Sequence, residues 1–312
     1  MAPARSPILR RRAFRANTMA MSRHSLDPRV NAFSPALADV RLRGIVEAAR
    51  FTEGRPMRVR AAAAPMRAKP DAAAPYDTEL LLGESVRVFD SGEGGWSWCQ
   101  NETDRYVGFV PTEALGGAAP APTHRVTAIR TFVYPAPDMK LPPEAALSLG
   151  SQLALGEAVE TRGTPFRLVA GTSRAVVAHH VAPLEAPPEG DFVGVAERFL
   201  NVPYLWGGRT GVGLDCSALV QLSLMMAGIA APRDTDMQRD QLGVSLDRGV
   251  EGQLRRGDLV FWKGHVAILA AADRIVHASG HHMTVVSEPL ADALARTAAT
   301  AGPPLAVKRL RD

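Results

Sequence analysis

Between Met57 and Pro111 the chain alternates apolar and polar residues in short runs. Val86 and Val88 alternate with Ser85 and Arg87, Trp96 and Trp98 flank Ser97, and Tyr106-Val107-Gly108-Phe109-Val110-Pro111 follows the polar stretch Asn101 to Asp104. A period of two turns one face of a strand inward, so short strands broken by polar turns predict a small β-barrel. Ahead of it, Leu37, Val40, Ile45, Val46 and Ala49 give a partly helical stripe behind Ser34-Pro35, a cap and first-turn proline. This predicts a helical segment within residues 27–54. Weaker strand patterns recur at residues 153–159, 166–169 and 175–178. Beyond residue 190 the period changes. Phe192, Val195, Ala196, Phe199 and Leu200 mark a helix ended before Pro203, and residues 217–228 form a second helix, apolar on most sides and so buried. Strands follow at 258–262, 265–269 and 274–277, with 283–286 as a fourth. Helices followed by antiparallel strands make the last part an α+β domain.

Two runs rich in Pro, Ala and Gly, residues 116–122 and 182–190, punctuate the chain. They divide it into a leader (1–26), the helical segment (27–54), a first barrel (55–117), a second divergent barrel (123–185) and a final domain (190–312). The formal charge of +4 rests on the acid-free leader with its six arginines, so the remainder is near neutral and suggests neither nucleic acid nor membrane as a partner. The leader's apolar stretch, Pro7-Ile8-Leu9, is too short for a secretory signal. An organellar presequence fits its composition, but a true start at Met19 or Met21 is the plainer reading. No run reaches the roughly twenty apolar residues of a membrane span, and a cytoplasmic protein is expected. The two cysteines, Cys99 and Cys216, are far apart and show neither a disulfide framework nor zinc spacing.

Chemistry concentrates in one run, Pro203-Tyr204-Leu205-Trp206-Gly207-Gly208-Arg209-Thr210-Gly211-Val212-Gly213-Leu214-Asp215-Cys216-Ser217. A glycine-rich loop delivers one cysteine to the first turn of an apolar helix. The positive end of that helix should favour a thiolate, and its free N–H groups can hold an oxyanion. A base must come from elsewhere. His265 opens one predicted strand and His277 closes the next, and a turn at residues 271–273 would make the two strands a hairpin. One histidine could then act as base and the other orient it, provided the register puts both on one face. Cys99 reads as a small apolar core residue and Arg209 as solvated. The pairs His179-His180 and His281-His282 read as surface or turn histidines rather than metal ligands.

Two resemblances emerge from these motifs. Gly95-Trp96-Ser97-Trp98-Cys99 with Tyr106-Val107-Gly108-Phe109-Val110-Pro111 resembles the signature of bacterial SH3 domains, and residues 123–185 resemble a worn second copy without the tryptophans. Four motifs spread in order through the last 120 or so residues resemble the NlpC/P60 papain-like peptidases. These are Tyr204-x-Trp206-Gly207-Gly208, Asp215-Cys216-Ser217-x-Leu219-Val220, Gly257-Asp258-Leu259-Val260-Phe261 and Gly264-His265-Val266-Ala267-Ile268. That resemblance implies Cys216 as nucleophile, His265 as base, His277 as the orienting polar residue, and Tyr204 with the Cys216 N–H at the oxyanion site. It implies no cofactor or metal. Its usual substrates are cell-wall peptides cut beside γ-linked D-glutamate.

Paired bacterial SH3 domains ahead of such a domain resemble the γ-D-glutamyl-L-diamino acid endopeptidases, whose substrate presents a free N-terminal L-alanine. The likeness implies substrate contacts at Asp215, Ser217 and Thr235, with Trp206 packing in the loop or lining the cleft. One further contact would come from the first barrel, with Glu79, Glu84 and Tyr106 as the candidates. A murein-derived peptide is then the expected partner. A thiol acyltransferase on the same fold and a non-catalytic peptidoglycan-binding protein are the alternatives.

Overall fold

Alternation between Arg55 and Gly116 produces the strands it predicts. The computed structural model describes residues 26–92, 94–246 and 253–311; the leader read at 1–26 lies outside them except for Leu26. Strands Val107–Pro111, Trp96–Asn101, Ser85–Ser91, Arg55–Val59 and Leu115–Gly116 hydrogen-bond in that order, and Ala63–Met66 pairs with Thr78–Leu81. Val59, Met66, Leu80, Val86, Val88, Cys99 and Val110 fill the barrel. Burial pushes the Cys99 thiol up to about 12, as suits an inert core cysteine.

The helix expected within 27–54 does not form. Leu37–Asp39 and Arg50–Thr52 are parallel strands, joined through one 3-10 turn, Val40–Leu42. Ser34 and Pro35 open a tight turn instead, in which the Ser34 N–H donates to Leu37 O at 2.8 Å and Phe33 bridges to Ala38. Proline suits the second position of such a turn as well as the first turn of a helix. Tertiary packing decides, because Leu37 and Ala32 bury against Phe89 of the barrel.

The middle part repeats the pairing scheme of the first barrel. Ala145–Ser148, Arg130–Tyr134, Ala175–Val177, Thr164–Val169 and Leu155–Thr161 form one sheet, and His124–Val126 lies between Gln152–Leu153 and Val181–Pro183. A 3-10 turn, Ala178–His180, precedes its last strand, as Thr112–Ala114 precedes the last strand of the first barrel.

The final part opens with α1 (Phe192–Glu197) and α2 (Cys216–Met226), followed by α3 (Thr235–Gln241). Six antiparallel strands come next, ordered Val244–Ser245, Ala306–Arg309, Leu259–Trp262, His265–Ala271, Arg274–Ser279 and Thr284–Pro289. Helix α4 (Leu290–Ala298) follows the Thr284–Pro289 strand. One sheet face packs on α1 and α2 through Val195, Phe199, Leu219, Leu259, Phe261 and Ile268. The other carries Val260, Trp262, Ala267 and Ile275 under Leu290 and Ala293 of α4. Leu81 and Leu149 from the two front units enter the same core as α2, so the three parts share buried apolar surface. Leu200, read as part of the helical face of α1, lies just past its end and is 38% exposed.

Candidate functional site

The glycine loop exists because three parts of the chain meet on it. Gly207 has φ +70°, and a Cβ there would lie 2.5 Å from Tyr76 O of the first barrel; at Gly211 it would lie 2.4 Å from Ile129 O of the middle part. Only glycine lets backbones approach so closely. The loop then hands the chain to Asp215, the N-cap of α2, whose carboxylate accepts from Ala218 N at 2.8 Å and from Gly207 N at 3.1 Å. Such a cap contributes about 1 kcal/mol. Cys216 is therefore the first helical residue, 5% exposed, with Sγ 3.9 Å from Thr235 Oγ1 and 4.0 Å from Gly264 O.

The thiolate expected from the helix end is not the resting state. Burial, and then the adjacent Asp215 charge, push the Cys216 thiol up to about 11, against smaller lowering contributions from the Val266 backbone, Thr235 and Arg233. The helix end's partial charge is already matched by the Asp215 carboxylate. Desolvation of the charged form decides.

His265 and His277 do share a face. His265 Nε2 lies 2.7 Å from His277 Nδ1, and His277 Nε2 lies 2.7 Å from Glu288 Oε1. Arg296 of α4 pairs with both Glu288 oxygens, and His282 Nε2 stands 3.6 Å from Oε2. Burial lowers His265 to about 3 and also lowers His277, while Glu288 falls to about 2 as its bonds to Arg296 and His277 outweigh its own burial. An ionised Glu288 only accepts, so His277 carries its proton on Nε2. His277 Nδ1 then accepts the Nε2–H of His265, which leaves His265 Nδ1 with a free lone pair. Trp262 covers His265 at 5.8 Å between ring centroids.

The remaining candidates divide. Asp215 is spent: Arg233, 1% exposed, donates to its two oxygens at 2.9 and 2.7 Å. The guanidinium also donates to Ser217 Oγ at 2.8 Å and, through Nε, to Thr78 Oγ1 of the first barrel at 2.8 Å. Asp215 and Ser217 thus hold Arg233, and Asp215 does not stand open to an ammonium group. Glu84 is likewise engaged, accepting from Arg209 at 2.9 and 3.0 Å and from Leu81 N. Glu79 accepts from Arg209 N at 2.9 Å. Arg209, read as solvated, is fully buried, because its guanidinium ties the loop to the first barrel and to Gln221 of α2. Trp206 is 67% exposed. Tyr204 is half-buried, its phenol raised by burial and by Cys216 and Asp215.

Tyr106, the third first-barrel candidate, also reaches the final domain, donating from Oη to Asp234 Oδ2 at 3.1 Å. Arg29 meets the same Asp234 oxygen at 2.7 Å and binds Asp27 and Asp236 as well. Burial pushes Asp77, Glu79 and Asp234 up. Asp234, Arg233, Glu288 and Arg29 were missed by sequence reasoning. Asp234 alone left a signal, standing beside the named Thr235 at the start of a helix.

Residues 201–299 match the NlpC/P60 family and residues 66–115 the bacterial dipeptidyl-peptidase SH3 domain. The chain is 26% identical over 230 residues to dipeptidyl-peptidase 6 of Lysinibacillus sphaericus, covering 68% of this chain and 83% of that protein. It is 31% identical over 115 residues to γ-D-glutamyl-L-lysine dipeptidyl-peptidase of Bacillus cereus, a match spanning 34% of this chain and 33% of the relative. An NlpC/P60 family protein of Bacillus cereus, solved by crystallography, superposes with a TM-score of 0.66 at 22% identity over 82% of this chain and 99% of its own. That likeness is one of fold.

Proposed function

We propose, from the premise that this chain carries an NlpC/P60 peptidase-like domain behind a bacterial SH3 domain, that it is a cysteine peptidase with Cys216 as nucleophile and His265 as base. The observation that carries this is a buried thiol at a helix start, 4.0 Å from the carbonyl oxygen of Gly264 beside His265, together with a histidine pair whose hydrogen bonds leave one base nitrogen free. The neutral thiol passes its proton to His265 Nδ1 as Sγ attacks the carbonyl carbon. The first-turn N–H of Cys216 and the Tyr204 hydroxyl hold the oxyanion. His265 then protonates the leaving amine, and water, losing a proton to the same nitrogen, hydrolyses the thioester. His277 keeps the imidazole in the productive tautomer.

For the substrate we take a murein-derived peptide with a free N-terminal L-alanine, cut at the γ-D-glutamyl–diamino acid bond, as in peptide recycling. The names of the relatives support this, and so does the acidic corner. Glu79 is buried and Asp77 and Asp234 are half-buried, burial raising all three, while Arg29 and Tyr106 already bond Asp234. Carboxylates raised by burial favour a further cation beside them, and an ammonium ion is the ligand proposed for this corner. Residues 123–185, with the repeated pairing scheme, fit a second SH3-like barrel.

The test is hydrolysis of L-Ala-γ-D-Glu-meso-diaminopimelate beside its L-lysine analogue and an N-acetylated copy. Cleavage of free-amine peptides only, abolished in Cys216→Ala, is the expected outcome. Cleavage of the acetylated copy at equal rate would sink the amine requirement, and no cleavage by folded protein would sink the peptidase reading.

A further inference from the structure

The histidine pair does not end at His277. The geometry points to Glu288, held by Arg296, as a positioning residue that fixes the tautomer of both histidines and sets how readily His265 takes the thiol proton. This rests on the peptidase reading of Cys216 and His265.

Four side chains stand in line on the sheet face covered by α4. His265 Nε2 meets His277 Nδ1 at 2.7 Å, His277 Nε2 meets Glu288 Oε1 at 2.7 Å, and Arg296 clasps Glu288 from the helix. The register explains the line: Glu288 pairs with Ile275 and Val286 with His277, so both point to the side of the sheet where Ile275 packs under α4. Glu288 is faced by His277 from the neighbouring strand, His282 from the turn before its own strand, and Arg296 from α4, with Asp292 of α4 acting on Arg296 and His265 next in line.

As His265 accepts the proton, positive charge appears two hydrogen bonds from the Glu288 carboxylate, which stabilises that charge through His277. Arg296 opposes it. Glu288 raises and Arg296 lowers the proton affinity of His265, so the two variants should act in opposite directions. A carboxamide at 288 still accepts from His277 but lacks the charge, and it can also flip and impose the wrong tautomer.

The experiment measures Cys216 alkylation by iodoacetamide against pH, read by mass spectrometry so that Cys99 is distinguished, together with kcat and KM on the free-amine peptide. In Glu288→Gln the acid limb should move to lower pH while kcat falls roughly tenfold and KM holds. In Arg296→Gln the acid limb should move to higher pH. Opposed shifts carry the proposal. Shifts in the same direction, or none, overturn it, since mere loosening would admit water and bring both variants toward the ordinary histidine value. Alkylation needs no substrate. A wild type that leaves the peptide intact but shows opposed shifts would therefore lose the substrate assignment and keep Glu288.

Discussion

Asp215 illustrates how the role of a residue changes with what stands beside it. Next to the nucleophile it invites reading as an ammonium ligand, yet Arg233 takes both its oxygens from a buried position. Removing one member of such a pair leaves a buried charge uncompensated, and Arg233→Met should cost about 3–5 kcal/mol, read as a lower urea midpoint at unchanged slope. The histidines make a second prediction. Burial holds His265 and His277 below the value of a free imidazole. The unfolded chain therefore takes up protons first as pH falls below about 6.5, and stability is lost from there downward. The Glu288 carboxylate, lowered to about 2, adds nothing between pH 6.5 and 5. The urea midpoint should accordingly fall over that interval in the wild type and fall less in His265→Asn. An equal fall in both would mean that His265 is not held neutral by burial.

Whether His265 and His277 can work together is settled within one hairpin, by one residue. At its turn Ala271 pairs with Arg274, a register that would put His277 opposite Ile268 and so on the other face from His265. A bulge at Ala270 shifts the pairing to Leu269 with Ile275 and Ile268 with Val276, which brings His277 level with Ala267 and onto the face of His265. Deleting Ala270 removes the extra residue and leaves Leu269 opposite Ile275, so His277 stays level with Ala267 and kcat should hold within about tenfold of wild type. A roughly hundredfold loss, with the circular dichroism of a folded protein, would mean that the pairing below the turn is not set by absorbing this one residue. The strands of this hairpin, α2 and the first barrel were legible, because each has strong period and clear punctuation. The bulge was not, since Ala-Ala-Ala at 270–272 carries no turn signature. The 27–54 segment misled for the converse reason. Its stripe is partly helical, but its burial is decided by Phe89, far along the chain.

Contacts between the parts were the least legible, since Arg209 and Glu84 lie 125 residues apart and Arg233 and Thr78 155 apart, and no local pattern relates them. Yet those contacts bring the first barrel against the start of α2, where Cys216 stands. The first barrel supplies Tyr106, the final domain Asp234, and the segment before the barrel Arg29, which neutralises part of the Asp234 charge from the outside. An incoming ammonium would have to displace water from this corner and would meet carboxylates at low dielectric. A charge-assisted hydrogen bond there is worth about 1.5–3 kcal/mol, or roughly ten- to hundredfold in affinity. Asp234→Asn should therefore raise KM for the free-amine peptide by about that factor with kcat little changed, as the loss of a contact made equally before and during reaction does. The N-acetylated peptide carries no ammonium and should lose nothing, so the preference between the two should shrink in step with KM. Tyr106→Phe removes the hydroxyl that aims the carboxylate and should move both quantities the same way by a smaller amount. If Asp234→Asn instead lowers kcat on both peptides equally, the corner braces the two domains and the ammonium is bound elsewhere. Glu79 would then be the next carboxylate to examine, since Asp215 and Glu84 are already paired.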